Sequence, residues 1–372
     1  MKRIALAVAL TAATVAPAAA QNTTPHFTQV ELQTVATFPH RPTGIAILPD
    51  GRTIVSLPYS NYSDPETFTG SLFAVAADGT KSLYPNTDWN RTWTEGSDAA
   101  SRFVNVQSHT AAADGTVWVL DRGRPLGGDL VPGGAKLVGI DGTTDEVVKV
   151  VPLSDDLARG NFLNDLRVDS ERGFAYVTDT AIGGVLVVDL NAGTARRALE
   201  AGFVAFADET PIAQGVVVDR ERRESVPRTG DGIALSNDGE TLFLQAHPWV
   251  GRTLYRVPTA TLRDASLAPA QVVERVEAVG PTVFSDGIER DGQDRVHFTD
   301  YEHSAITRMN ADGTLTVLAQ DPRIAWPDAI AFGPDGSLSF TVAAFHQLYG
   351  GPGGANISQS EFPVFRIVPR TE

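Results

Sequence analysis

The chain has 372 residues, no cysteine, and a formal net charge of −15 that arises from 30 basic and 45 acidic side chains. Without cysteine it forms no disulfide and performs no thiol chemistry. The acidic excess argues against nucleic acid as a partner, because binding to phosphates requires a basic surface. A small molecule is the expected partner instead.

The first 20 residues have the layout of a secretory signal peptide. Two basic residues precede an apolar run at 4–16, and the small residues AAA follow at 18–20. The run is shorter than the roughly 20 residues that span a bilayer. We expect an exported protein, secreted, periplasmic or in the cell envelope, with residues 21–372 as one domain and no transmembrane segment in the mature chain. The alternative, an uncleaved anchor, is disfavoured by the small residues that follow the apolar run directly.

A short pattern recurs six times after the signal. An anchor residue opens a small apolar run, a turn centred on Gly or Asp follows eight residues later, and a run rich in β-branched and aromatic residues comes next. A third and a fourth such run follow in most copies, so each repeat predicts four antiparallel strands. Repeats at this spacing are stacked units that cannot bury their faces alone. The anchors are Thr43, Gln107, Asp165, Asp231, Asp286 and Asp328.

Six units of four strands, with almost no helical periodicity, predict an all-β fold, a six-bladed β-propeller. The second strands are expected at 116–121, 174–179, 241–246 and 296–300, and the fourth strand of the fourth unit at 271–276. The last unit ends after 365–368 without a fourth strand, while a spare strand pattern lies at 30–38. We therefore expect the N-terminal strand to complete the last blade and close the ring.

Long loops are expected on one face of this propeller, at 58–70, 122–135, 200–230 and 343–363. Long loops on the rim of a closed scaffold usually build a binding site. The same face carries Asp165, Asp231, Asp286 and Asp328, with Asn164 beside them. Carboxylates crowded around one channel repel each other unless they share a cation, stay protonated or accept backbone hydrogen bonds.

These acids have two interpretations. Because every blade repeats the feature, each Asp could cap backbone amides of the neighbouring blade. Alternatively, Asn164, Asp231 and Asp286 supply oxygen ligands to Ca²⁺ or Mg²⁺, or the acids face an organic amine. Aromatic rim residues that do not repeat suit a flat cationic ligand, although they could also merely plug the channel. The predicted ligand-binding rim thus adds Phe284, Trp326, Phe345 and His346 to the five polar residues.

No catalytic residue is predicted, because the sequence lacks zinc-site spacing and any nucleophile-elbow, P-loop or dinucleotide motif in a suitable context.

Two resemblances bear on function. The segments FLNDLRVD (162–169), 231–264, 284–310 and WPDAIAFGPDGSLSF (326–340) resemble, in order, the yellow/major royal jelly protein family. That resemblance implies a secreted six-bladed propeller, and some members bind biogenic amines in the channel or promote dopachrome rearrangement.

A more distant resemblance is to the calcium-dependent gluconolactonase-type propellers. It implies a metal at Asn164, Asp231 and Asp286, with Thr43 where that group carries a Glu. Two classes of function therefore stay open. One is a binding protein for a small aromatic or cationic ligand, with a role in the cell envelope. The other is an enzyme, either a metal-dependent lactone hydrolase, in which Asp286 or Asp231 activates water, or a dopachrome-type tautomerase.

Overall fold

The computed structural model describes residues 30–60, 63, 66–91, 93–125, 128–205, 207–218, 230–348 and 361–369. The predicted signal peptide at 1–20 and parts of the predicted long loops, notably 219–229 and 349–360, lie outside the described residues. Within them the chain forms six four-stranded antiparallel sheets arranged as the blades of a β-propeller. The predicted fold class is confirmed.

Strand β1 (Val30–Phe38) belongs to the last blade, and the remaining strands follow blade by blade. Blade one contains β2 (Gly44–Ile47), β3 (Thr53–Ser56), β4 (Leu72–Val75) and β5 (Lys81–Leu83). Blade two contains β6 (Val106–Ala111), β7 (Thr116–Arg122), β8 (Ala135–Asp141) and β9 (Val147–Pro152). Blade three contains β10 (Leu163–Asp169), β11 (Phe174–Asp179), β12 (Val185–Asp189) and β13 (Thr194–Leu199).

The second half of the ring follows a small hairpin of β14 (Ile212–Ala213) and β15 (Val216–Val217). Blade four contains β16 (Gly230–Leu235), β17 (Thr241–Ala246), β18 (Thr253–Pro258) and β19 (Glu277–Pro281). Blade five contains β20 (Ser285–Arg290), β21 (Val296–Asp300), β22 (Ala305–Met309) and β23 (Leu315–Gln320). Blade six contains β24 (Pro327–Phe332), β25 (Leu338–Val342), β26 (Phe362–Pro369) and β1.

The N-terminal strand closes the ring as predicted. β1 pairs antiparallel with β26, from Val30 opposite Pro369 to Phe38 opposite Phe362. Strand β1 therefore occupies the outer position of blade six, and the two ends of the propeller are held by one sheet. This closure protects an edge of β26 that would otherwise offer unpaired backbone groups.

The core is divided among the contacts between neighbouring blades. Leu120 of blade two and Leu166 of blade three are fully buried in one apolar cluster. Ile45 of blade one and Val364 of blade six lie in another, across the point of closure. Because each apolar face is shared by two blades, the burial that stabilises one blade depends on its neighbour.

The fourth strand of blade four departs from the prediction. Residues 271–276 were expected as a strand, but the strand is β19 and a short helix, Pro269–Val273, precedes it. Proline suits the first turn of a helix, and the Gln271 side chain accepts a hydrogen bond of 2.9 Å from the Ala268 amide. The other short helices among the described residues are Thr87–Asn90, Asp155–Ala158, Thr259–Arg263 and the 3₁₀ turn Phe345–Leu348. None of the helices in the described ranges has the length and apolar character needed to cross a membrane.

Candidate functional site

In blades two to six, the pairing of the innermost strand with the second strand shifts register near the anchor residue. The anchor is therefore not paired regularly with the second strand. A β-bulge of this kind re-aims side chains and is common next to binding sites. Blade one shows no such shift. The shifts lie between Val106 and Ser108, Leu163 and Leu166, Gly230 and Ile233, Ser285 and Ile288, and Pro327 and Ile330.

Two features of the sequence hold the anchor of blade five. The hydroxyl of Thr299 accepts hydrogen bonds from the backbone amides of Asp286, at 3.1 Å, and Gly287, at 3.0 Å. A side chain at Gly287 would collide with the carbonyl oxygen of Asp328 on the next blade. The Asp-Gly pair therefore satisfies the bulged backbone and lets adjacent inner strands approach closely.

The anchors surround a cavity of about 710 Å³ on the propeller axis. Its lining includes seven of the nine predicted rim residues: Asn164, Asp165, Asp231, Asp286, Asp328, Trp326 and Phe345. The other two lie behind the wall. Phe284 is 1% exposed, with its ring centroid 6.4 Å from that of Tyr301, and the buried ring of His346 lies 6.4 Å from Trp326.

Asp165 differs from the other three acids because it is already paired. Arg167 Nη1 lies 3.1 Å from its Oδ2, and the hydroxyl of Ser108 donates a hydrogen bond of 2.6 Å to its Oδ1. The same guanidinium reaches Glu289 at 3.0 Å. The charge of Asp165 is therefore balanced within the protein.

The remaining three acids, Asp231, Asp286 and Asp328, are here named the axial acids. Among the described residues, no Lys or Arg forms an ion pair with any of them. Burial, followed by the charge of Asp286, raises the pKa of Asp231 well above its usual range. Burial, followed by the charges of Asp286 and Asp231, also raises the pKa of Asp328 well above its usual range. These carboxyls thus resist ionising together unless a cation joins them.

Asp286 is the axial acid with the most moderate shift. Burial raises its pKa to about 7, the hydrogen bond from Trp326 lowers it, and the charge of Asp165 raises it. The indole nitrogen of Trp326 donates to Asp286 Oδ2 at 2.7 Å. At neutral pH, Asp286 is therefore able both to accept and to release a proton.

The aromatic wall is built around Trp326. Its ring stacks on Tyr301 with the ring centroids 4.0 Å apart and an angle of 7° between the planes, while Phe345 meets it edge-on. Its backbone φ of 53° lies in the left-handed region, which costs about 1 kcal/mol or more for a bulky residue. The surrounding contacts compensate for that strain. Trp249 lines the same cavity and packs edge-on against His247.

Amide capping, one of the two interpretations of the anchors, occurs at the anchor Asp165, which accepts a hydrogen bond of 2.8 Å from the Leu166 amide, and at acids that are not anchors. Asp121, at the end of β7, accepts hydrogen bonds from the amides of Val104 and Asn105 at 2.7 and 2.9 Å and pairs with the buried Lys136 at 2.7 Å. Within the described residues, the axial acids accept no such backbone bonds. Capping therefore does not account for them.

The fit of the site to a divalent cation is incomplete. The amide group of Asn164 accepts a hydrogen bond from Gln107 at 3.0 Å and directs its nitrogen, not its oxygen, to Asp231. The Thr43 hydroxyl donates to the Gln107 carbonyl at 3.0 Å. No group of three or more His, Asp or Glu side chains in the described ranges is arranged to hold a metal ion. The set Asn164, Asp231 and Asp286 stays a prediction as a Ca²⁺ or Mg²⁺ site.

Sequence reasoning missed a group of arginines. Arg41, Arg122 and Arg124 line the cavity together with the acids. The Arg41 guanidinium donates to the carbonyls of Ala343 and Ala344. The motif R-G-R at 122–124 was a possible signal, since residues two apart at a strand end share one side.

Family membership follows from the match between the chain and the major royal jelly protein profile over residues 109–332, more than half of the chain. The chain belongs to the major royal jelly protein family. In this member the matched region runs from β6 of blade two to the end of β24 in blade six and includes all three axial acids. No curated protein sequence matches the chain significantly.

Solved structures similar to this family member are propeller proteins of low sequence identity. A gluconolactonase from Xanthomonas campestris has a TM-score of 0.54 at 14% identity, covering 91% of this chain and 89% of its own. A luciferin-regenerating enzyme has a TM-score of 0.53 at 12% identity, covering 91% and 95%. A streptogramin B lyase has a TM-score of 0.51 at 13% identity, and the match covers 92% of this chain and 98% of the lyase. At such identities the likeness concerns the fold alone.

Proposed function

We propose that this major royal jelly family protein is exported and binds a small aromatic cation in its axial cavity. The observation that carries the proposal is the group of axial acids, which share one cavity and form no ion pair with a Lys or Arg among the described residues. A ligand ammonium placed among Asp231, Asp286 and Asp328 would relieve their repulsion and favour their ionised forms.

The nearest basic side chain to Asp231 supports this reasoning. His247 Nε2 lies 3.7 Å from Asp231 Oδ2, but burial lowers the pKa of His247 to about 3, so this imidazole is neutral at physiological pH. It therefore supplies no charge to the acid. Among the described residues, no other basic side chain forms an ion pair with Asp231, so a ligand cation is the partner that we propose for it.

The cavity walls support the aromatic part of the proposal. Trp249, Trp326 and Phe345 line the same space as the acids. Ring faces attract cations and stack on flat ligands, and the volume of about 710 Å³ lies within the range of small-molecule sites. An aromatic amine satisfies both the acids and the rings.

Calorimetric titration of the mature protein tests the proposal. Serotonin and dopamine are expected to bind, and indole-acetate is expected to bind more weakly because it lacks a cation for the axial acids. Trp326→Ala should weaken the amines. Equal affinity for serotonin and indole-acetate, or no binding of either amine, would refute the proposal.

A second function is favoured by one observation, the pKa of Asp286. A carboxyl with a pKa of about 7 beside a ligand cavity is suited to shuttling a proton, as a tautomerase requires. Incubation with dopachrome would test this, with loss of any activity expected in Asp286→Asn. The lactone-hydrolase alternative depends on a metal, and the Ca²⁺ experiment in the Discussion addresses it.

A further inference from the structure

Arg122 and Arg124 are two cavity-lining arginines that the proposed function does not use. Among the described residues, neither guanidinium forms an ion pair with a carboxylate. The Nε atoms of both are buried and have no hydrogen-bond partner in that part of the chain. Buried donors without partners are costly, and both arginine side chains line the cavity, so their guanidinium groups point to an acceptor supplied by a ligand.

The backbone that carries these arginines is held rigidly. Gly123 lies between them at a φ of 68°, and a side chain there would collide with the backbone of Ala135. The amide of Gly123 donates to Asp121 at 2.9 Å, and the side chain of Asn105 donates to the Arg124 carbonyl at 2.9 Å. The two guanidinium groups are therefore presented by a fixed segment rather than by a loose loop.

The Arg122 guanidinium is also oriented by an aromatic ring. Its Cζ lies 4.7 Å from the ring centroid of Phe162, which lines the same cavity. Stacking on a ring leaves the N–H edges of a guanidinium available to a planar acceptor such as a carboxylate. Burial lowers the pKa of Arg122 to about 10, an effect that Asp121 partly offsets and Arg124 adds to, so the group is still charged at neutral pH.

The positive and negative groups occupy different sides of the ring. Arg122 is the last residue of β7 in blade two and Arg124 follows that strand, whereas the axial acids lie in the first strands of blades four, five and six. In a ring of six blades, the second blade faces the fifth, so Arg122 and Asp286 lie on opposite walls. Among the described residues, no ion pair neutralises the axial acids or the two arginines. Arg167 does not do so, because it already pairs with Asp165 and Glu289.

We propose that the cavity selects an aromatic zwitterion, whose ammonium group meets the axial acids and whose carboxylate meets Arg122 and Arg124. This inference rests on the proposed function, because it places the ligand cation among the axial acids, as that function does. It names the ligand class as an aromatic amino acid or a short peptide that contains one. A simple amine would leave the two guanidinium groups without an acceptor.

Four related probes test the inference by calorimetry at about pH 7, where a peptide α-amino group is mostly protonated: tyramine, 3-(4-hydroxyphenyl)propanoate, L-tyrosine and glycyl-L-tyrosine. The first two carry one charge each, and the dipeptide separates the two charges by one further residue. At least one zwitterion should bind about tenfold or more tightly than tyramine, because charge-assisted hydrogen bonds to a guanidinium are strong. The double variant Arg122→Gln/Arg124→Gln should abolish that gain without weakening tyramine, because tyramine has no carboxylate and the lost positive charges would only repel its ammonium.

Arg91→Gln is the matched control, since Arg91 is exposed and pairs with Asp88 away from the cavity. It should preserve the gain. Arg124→Gln alone serves if the double variant fails to fold, and should reduce the gain. Tyramine binding as tight as both zwitterions would overturn this inference and leave the proposed function standing. Failure of tyramine to bind, with Arg-dependent binding of the propanoate, would instead overturn the cation site and with it the zwitterion.

Discussion

The indole nitrogen of Trp326 donates a 2.7 Å hydrogen bond to Oδ2 of Asp286 and so joins the aromatic wall of blade six to a carboxylate of blade five. Burial favours the neutral acid, whereas this bond favours the carboxylate, and the pKa of about 7 reflects the balance. Ring position and acid charge are therefore coupled in this cavity. A substitution at Trp326 should change the ionisation of Asp286 as well as the shape of the wall.

Trp326→Phe tests this coupling directly. The variant keeps an aromatic ring but loses the N–H donor, so the pKa of Asp286 should rise above 7. Amine affinity depends on ionised Asp286 and should increase with pH through about 7 in the wild type and at a higher pH in the variant. Calorimetric titration of dopamine from pH 6 to 9 measures both midpoints. An unchanged midpoint would contradict the coupling.

The axial acids should limit stability while they support binding. Asp328→Asn removes one of three mutually repelling carboxyls and should raise the melting temperature of the ligand-free protein at pH 8 by roughly 2 °C. The same variant should bind amines more weakly. Asp121→Asn is the control and should lower the melting temperature, because Asp121 caps two amides and pairs with buried Lys136. A lower melting temperature for Asp328→Asn would indicate a structural role instead.

Stability should also decline with rising pH because of Asp286. Its pKa is about 7 in the folded protein and near 3.8 in the unfolded chain, so between these values the folded state binds the additional proton. The stabilisation from this group is complete below about pH 3.8 and is lost as the pH rises through 7. Denaturant unfolding at several pH values should show a smaller pH dependence for Asp286→Asn over pH 5 to 7. Equal slopes in the two proteins would contradict the shifted pKa.

Closure by β1 predicts a strong truncation effect. Deleting residues 21–38 removes the buried side chains of Leu32, Ala36 and Phe38 and exposes the edge of β26. We expect aggregation or a large loss of thermal stability. Deleting 21–28, which precede β1, should have little effect. A protein lacking 21–38 that melts like the mature chain would show that closure does not contribute to stability.

Calcium provides a test of the metal hypothesis. If Asn164, Asp231 and Asp286 bind Ca²⁺, the ion should raise the melting temperature by mass action on the folded state, by an amount that grows with its concentration. EDTA should reverse the rise, and Asp286→Ala should abolish it. Given the orientation of the Asn164 amide, we expect only a small rise. Melting curves indifferent to both Ca²⁺ and EDTA would remove the lactone-hydrolase alternative.

The amino-acid sequence by itself determined the architecture. Strand alternation, the turns and the six anchors are local patterns, and the missing fourth strand of the last repeat identified β1 as its substitute. The segment at 271–276 was the exception. Its apolar residues suited a strand, but Pro269 and the Gln271 side chain stabilise a helix there, and the strand forms a few residues later.

Only the tertiary structure decided which charges balance each other. Asp165 and Asp286 occupy the same position in the repeat, yet the first pairs with Arg167 and accepts a hydrogen bond from Ser108, while the second has no ion pair with a described Lys or Arg. Arg122 and Arg124 also belong to the site only through the tertiary structure, because the packing of the blades places them in the wall of the same cavity. Ionisation depends on distances between side chains on different blades, and residues far apart in the sequence, such as Asp286 and Trp326 at a separation of 40 positions, become neighbours only when the blades pack together.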